Sequence, residues 1–290
     1  TSGQLSIRWM ANKLNVFMNN TLKTTDVDYI VAIDTDSIYL TLETLIERVC
    51  VGKTTEQKIK TMDKICEEVL QPFIDTGYQE LAKYMNAYSQ KMVMKREVLA
   101  DKAIWTAKKR YILNVHNSEG VQFAKPKLKV MGLEMVKSST PAVIRSKLKE
   151  FIMVILEGSQ ENLHKFVGEF RKEFNKLPVE EIAFPRGVNG MNTYKGSPIY
   201  SKGTPIHVRG AIVYNHYLKQ KDLTKKYPLI QEGEKLKFTY LKMPNHFKND
   251  VISFPSRIPK VFELDYYIDY DVLFDMAFLE PISVILRCMN

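Results

Sequence analysis

Cysteine is nearly missing from this chain. Its 290 residues hold three, Cys50, Cys66 and Cys288, too few and too scattered for a disulfide framework or a cysteine-built zinc site. The scarcity points to a reducing, cytoplasmic setting. No run of 18 apolar residues occurs, which excludes a membrane-spanning helix and sets a membrane partner aside. The opening TSGQLSIRWM has no basic-then-apolar order, so a secretory signal is not expected there. No internal repeat or low-complexity tract interrupts the sequence. Solenoid and collagen architectures fall away with them.

What is present reads as a folded protein. Hydrophobic residues make up 45% and charged residues 26%, ordinary values for a globular chain of one large or two smaller domains. The formal net charge is +9, from 42 Lys+Arg against 33 Asp+Glu. The excess is local. Residues 1–90 hold 9 basic and 12 acidic residues, residues 91–150 hold 14 and 5, and residues 151–290 hold 19 and 16. A basic block on a folded domain suggests a polyanionic partner, nucleic acid above all. A solvated face neutralised by acids brought near in the fold is the other reading.

Residues 2–22 predict a helix, with Leu5, Trp9, Leu14, Phe17 and Met18 at helical spacing. The apolar run 29–33 and the β-branched and aromatic run 37–42 flank Asp34-Thr35-Asp36, which predicts a hairpin with carboxylates at its tip. Residues 54–88 predict helix, with Ile59, Met62, Ile65, Val69 and Phe73 on one stripe and Pro72 and Gly77 as the expected breaks. Strand and connection follow to residue 115, then a turn at 116–120. Lysines alternating with apolar residues over 125–132 predict a strand with one basic face, and the sharp change of pattern after it predicts a domain boundary. Ser138-Ser139-Thr140-Pro141 predicts a helix start with a capping hydroxyl and proline in the first turn. That helix ends at Glu157-Gly158-Ser159. A second carries Leu163, Phe166, Val167, Phe170, Phe174 and Leu177 and stops before Pro178. The chain after that is richer in proline and glycine up to Arg209-Gly210-Ala211, and 269–286 reads as a closing helix.

Asp34-Thr35-Asp36 is the most informative feature. Two carboxylates two residues apart repel, and nothing in the adjoining sequence neutralises them. A divalent cation gives such a pair a reason: Mg²⁺ prefers oxygen and takes one or two carboxylates together with substrate phosphates. That is the arrangement of two-metal phosphoryl transfer. A plain turn, with Asp as a common turn former, is the alternative. Lys108-Lys109-Arg110 offers three consecutive cations entering a strand, suited to phosphates or minor-groove acceptors, or else a surface run.

The string YIVAIDTDSIYL, residues 29–40, resembles motif C of the family-B DNA polymerases, whose core is YGDTDS. Ala32-Ile33 stands where the family has Tyr-Gly, a departure similar to that of the T-even-type phage replicative polymerases. Lys108-Lys109-Arg110-Tyr111 resembles the family's KKRY motif. Lys129-Val130-Met131-Gly132-Leu133-Glu134 is similar to the palm-to-thumb junction of the phage enzymes, and Pro205-Ile206-His207-Val208-Arg209-Gly210-Ala211 to a thumb loop. The resemblance covers nearly the whole chain.

It implies an α+β fold. Residues 1–131 would be part of a palm, an antiparallel sheet carrying the carboxylate turn with helices on one face. Residues 132–290 would be a mainly helical thumb with irregular loops. The implied reaction is template-directed transfer of deoxynucleotides to a primer 3′-hydroxyl with two Mg²⁺ ions. Asp36 inherits the ligand role to both metals, Asp34 a weaker one, and Glu97 that of a secondary ligand; a salt bridge of Glu97 to Lys95 or Arg96 is equally open. Lys108, Lys109, Arg110 and Tyr111 would grip duplex DNA near the primer terminus. Arg209 would contact phosphate where Gly210 allows close approach, and His207 would shape that loop or sit in the core.

The family's motifs A and B and an exonuclease carboxylate set have no counterpart here. The expectation is therefore a C-terminal portion or subunit, inactive alone, with the site's Mg²⁺ ions shared. Its partners would be primer–template DNA, deoxynucleoside triphosphates and an N-terminal polymerase polypeptide supplying exonuclease, fingers and the rest of the palm. The setting would be a host cell's cytoplasm. Arg287-Cys288-Met289-Asn290 does not match the apolar-aromatic tail with which phage relatives bind a sliding clamp, so that partner stays open. A half palm also predicts an exposed apolar surface. The alternative from another class is a non-catalytic duplex-DNA-binding module with a vestigial carboxylate turn. A metal nuclease would need a further carboxylate constellation.

Overall fold

The computed structural model describes residues 1–158, 160–196 and 198–289; Ser159 and Asn290, named above, lie outside them. The chain divides into two compact units, Thr1–Met131 and Gly132–Asn290.

The first unit opens with α1 (Ser2–Leu22), capped by the Thr1 hydroxyl accepting from the Gln4 amide and closed by Lys23 in the left-handed region. Its buried stripe is Ile7, Met10, Leu14, Met18 and Leu22. Leu5 is exposed, and Trp9 and Phe17 are partly buried against the core. The core face is therefore rotated from the one the sequence suggests. Next come β1 (Ile30–Asp34), β2 (Ser37–Leu40), and α2 (Glu43–Val49), a helix the sequence reading did not separate. α3 (Thr55–Ile65) starts in a capping box of Thr54 and Gln57. It continues through a π turn, Cys66–Leu70, into α4 (Gln71–Tyr84).

Neither expected break occurs. Ahead of Pro72 the Gln71 amide bonds to the Cys66 carbonyl, five residues back. The widened turn accommodates the proline ring, which a regular turn would set against a carbonyl. Gly77 instead lets α4 approach α1. Trp9 Nε1 donates to the Gly77 carbonyl at 3.2 Å, and a Cβ at Gly77 would lie 2.9 Å from Met10 Cε. The wider turn also moves the buried stripe to Cys66, Leu70, Ile74 and Tyr78, one residue on from that expected.

β3 (Val98–Ala107), β4 (Arg110–Ser118) and β5 (Val121–Met131) make one antiparallel sheet in the order β3-β4-β5. Pro126 is tolerated because β5 is an edge strand. The expected single sheet is corrected here: β1 and β2 form their own two-stranded antiparallel sheet. Val31 and Ile33 on that hairpin are exposed.

The second unit is less purely helical than expected. It holds α5 (Ala142–Glu157), α6 (Gln160–Phe174), α7 (Val179–Ile182), α8 (Ile206–Gln220), α9 (Tyr270–Phe274) and α10 (Glu280–Arg287) together with a three-stranded antiparallel sheet. Its strands are β6 (Phe184–Gly187), β7 (Lys235–Tyr240) and β8 (Val251–Phe254). No side-chain hydroxyl caps α5, whose N-cap is Pro141 itself. Phe151, Phe166, Phe170, Phe174, Phe274 and Phe278 interlock α5 and α6 with the closing helices, Phe170 and Phe278 at 4.8 Å between ring centres. A second π turn, Asp275–Leu279, precedes Pro281 as the first precedes Pro72.

Candidate active site

The carboxylate turn is tight. Asp34 is the last residue of β1 and pairs across to Ser37, leaving Thr35-Asp36 as a two-residue turn. Thr35 has φ 26, in the positive range that two-residue hairpin turns demand at their first position. Thr35 Oγ1 donates to Asp34 Oδ1 at 3.2 Å. Ser37 Oγ lies 3.4 Å from both the Asp34 carbonyl and Asp36 Oδ1, contacts at the long limit of a hydrogen bond. Asp36 is exposed.

Opposite stands a second tight turn. Lys108 and Lys109 make the two-residue connection of β3 to β4, with Lys109 at φ 62. The three cations therefore do not enter a strand together: two sit at the tip, and Arg110 opens β4. Lys109 Nζ lies 3.0 Å from Asp34 Oδ1. The Lys109 hydrogen bond holds the Asp34 carboxyl below its ordinary value, against some desolvation and with help from Thr35 and the Lys108 charge. Tyr111 is buried, 6% exposed, in a small apolar cluster with Leu113 and Val115, against Tyr39 and Trp105.

The remaining candidate residues have partners of their own within their units. Glu97 pairs with Lys129 of β5 rather than with its neighbours; Arg96 pairs instead with Asp63 and donates to Asn117 Oδ1 at 2.8 Å. Residues 205–211 are not a loop: Pro205 caps α8 and the rest form its first turns. Arg209 Nη2 is 2.7 Å from Asp250 Oδ1, with its guanidinium over the Tyr200 ring. Gly210 is buried, and a Cβ there would lie 2.7 Å from the Ser253 amide nitrogen. In the structure its close approach is to β8. His207 is half-buried. Desolvation first, then the Arg186 charge, lowers its pKa, and its carbonyl accepts from Ser253 Oγ at 2.7 Å.

Among the described residues no group of three or more His, Cys, Asp or Glu could hold a metal ion. The donor set still fits part of a Mg²⁺ shell. Asp36 presents an exposed carboxylate with a single weak hydroxyl contact, and Mg²⁺ commonly takes only one or two carboxylates with water and phosphate oxygens completing the shell. Sequence reasoning found both motifs but missed their contact, and missed Tyr39 and Trp105 behind it. The clue available was that Tyr39 and Tyr111 are aromatic residues at the ends of the two motifs, Tyr39 next to last and Tyr111 last.

Two hairpins thus bring an Asp-Thr-Asp tip against a Lys-Lys tip. The model of the divergent family B DNA polymerases matches residues 19–166, and the chain belongs to that family. It is 34% identical to the DNA-directed DNA polymerase of Enterobacteria phage T4, over 97% of this chain and 32% of the phage protein. It is also 34% identical to the DNA-directed DNA polymerase of Escherichia phage RB69, over 98% of this chain and 33% of that protein. The chain thus spans about a third of the length of the curated relatives it matches. No helix among the described residues is long and apolar enough to cross a membrane.

Proposed function

We propose that the chain is the C-terminal portion of a DNA-directed DNA polymerase, with residues 1–131 as part of the palm and 132–290 as the thumb. Together with polypeptide beyond these residues it adds deoxynucleotides to a primer 3′-hydroxyl on a template, in the cytoplasm of a phage-infected cell. The observation that carries this reading is the meeting of the carboxylate and lysine tips at 3.0 Å, in a chain whose family is polymerase.

Asp36, and secondarily Asp34, would hold divalent cations. Such ions lower the pKa of the attacking hydroxyl and stabilise the pyrophosphate that leaves. The chain's own residues do the positioning. Lys108 and Lys109 present their ammonium groups to the primer–template backbone or minor groove. Lys109 also neutralises Asp34, so that the duplex does not meet two bare carboxylates. Glu97, engaged by Lys129, is a ligand only if that pair opens. The remaining carboxylate and the nucleotide-binding fingers come from outside these 290 residues, as the relatives' greater length allows.

Primer–template binding by the 290-residue chain tests the reading. The expected result is binding that weakens steeply with salt, is reduced in Lys108→Met/Lys109→Met and is intact in Asp36→Asn. Absence of duplex binding would contradict it.

A further inference from the structure

Three lysines stand on β5: Lys125, Lys127 and Lys129. Register fixes the face on which two of them lie. Lys129 pairs with Leu113 and Lys127 with Val115, and directly opposed residues of an antiparallel pair share a face. Leu113 and Val115 belong with Tyr111 to the apolar cluster against which Tyr39 of the carboxylate hairpin packs. Lys127 and Lys129 therefore stand on the sheet face that meets that hairpin. Lys125 follows in the stretch where the register of β4 and β5 slips.

Their surroundings differ. Lys129 is engaged by Glu97. Lys127 stands over the Phe123 ring, its Nζ 4.3 Å from the ring centre, and Phe123 itself packs against the apolar cluster. Such a contact steadies an ammonium without neutralising it. Lys125 and Lys127 are exposed, and among the described residues neither has an acidic partner. No acidic residue occurs in β5. Lysine on an edge strand also deters pairing with another chain. That service needs charge anywhere along the edge, and does not call for an aromatic ring beneath the ammonium. Steadied, exposed cations of this kind suit phosphate oxygens.

Spacing supplies the match. An antiparallel strand advances about 3.4 Å per residue, as one strand of B-DNA advances about 3.4 Å per nucleotide. Val115, opposite Lys127, lies six residues along the chain from Lys109. Lys127 is thus about 20 Å from the lysine turn, the rise of about six base pairs.

We propose that Lys127 and Lys125 form a second phosphate-binding patch, which takes the duplex about six base pairs behind the primer end held at the lysine turn. The inference rests on the reading of the lysine turn as a duplex contact.

Its test is the salt dependence of primer–template binding by the full chain. The slope of log affinity against log salt counts the phosphates neutralised, and losing one lysine–phosphate contact lowers it by roughly one. Lys125→Met/Lys127→Met should lower the slope by about two, and Lys125→Arg/Lys127→Arg should leave it unchanged. Lys53→Met/Lys83→Met removes the same charge at exposed positions before α3 and in α4, and should also leave it unchanged. A primer–template with neutral methylphosphonate linkages at about the sixth base pair should lower the wild-type slope. On that duplex the Lys125→Met/Lys127→Met chain should lose nothing further. An unchanged slope in Lys125→Met/Lys127→Met, an equal loss in Lys53→Met/Lys83→Met, or losses that add in full on the methylphosphonate duplex overturns the patch while leaving the polymerase reading standing. A wild-type chain that does not bind duplex overturns both.

Discussion

Asp34 and Asp36 lie two residues apart in different surroundings. Asp34 ends a strand beneath Lys109, and the ammonium holds its carboxyl below the usual carboxylate range. A group whose folded pKa is depressed stabilises the fold above its unfolded value and loses that contribution as pH falls through the folded one. NMR titration of the Asp34 carboxyl should therefore give a midpoint below that of a free aspartate. Lys109→Met should raise it toward the ordinary value; an unmoved midpoint would mean the ion pair is not formed in solution. Asp36 faces solvent and carries the heavier ligand role in the proposed reaction, so Asp36→Asn should remove catalysis and spare duplex affinity. Both motifs are legible as strings of residues. Their contact is not, because it joins turns from two sheets and depends on how those sheets dock.

At the scale of elements, local rules explain most of what the sequence shows and tertiary approach explains the rest. α1 and the β1–β2 hairpin follow from spacing, caps and a two-residue turn. Pro72 looks like a break but is absorbed by the π turn before it, and Pro281 by the same device. α8 was hidden because Pro205 and Gly210 resemble loop residues. Pro205 in fact caps the helix, and Gly210 is required by the nearness of β8. The two helical glycines should respond differently to alanine. In Gly210→Ala the new methyl meets Ser253 backbone, which cannot step aside, and urea unfolding should show a loss of about 1–3 kcal/mol. In Gly77→Ala it meets the mobile end of Met10. The helix-propensity gain of roughly 0.5–1 kcal/mol should offset that crowding and leave stability little changed. Equal losses at the two sites would contradict the packing described.

At the scale of the whole molecule, the basic surplus lies in residues 91–150, which include the lysine turn and β5. Duplex affinity should fall with salt on a slope of about −0.9 per phosphate neutralised. A salt-independent affinity would remove the electrostatic basis of the reading. The two-stranded carboxylate sheet, with Val31 and Ile33 exposed, is short for an independent sheet, in keeping with a site completed by polypeptide outside this chain. Composition and local charge suggest a polyanionic partner; they carry no trace of how the carboxylate hairpin docks. The most direct measurement is primer extension with Mg²⁺ and four deoxynucleotides, comparing this chain alone, the chain mixed with the remainder of a matching polymerase, and the same mixture carrying Asp36→Asn. Extension is expected in the mixture, with none by the chain alone and none in the variant. Near-normal extension by the Asp36→Asn mixture would contradict it.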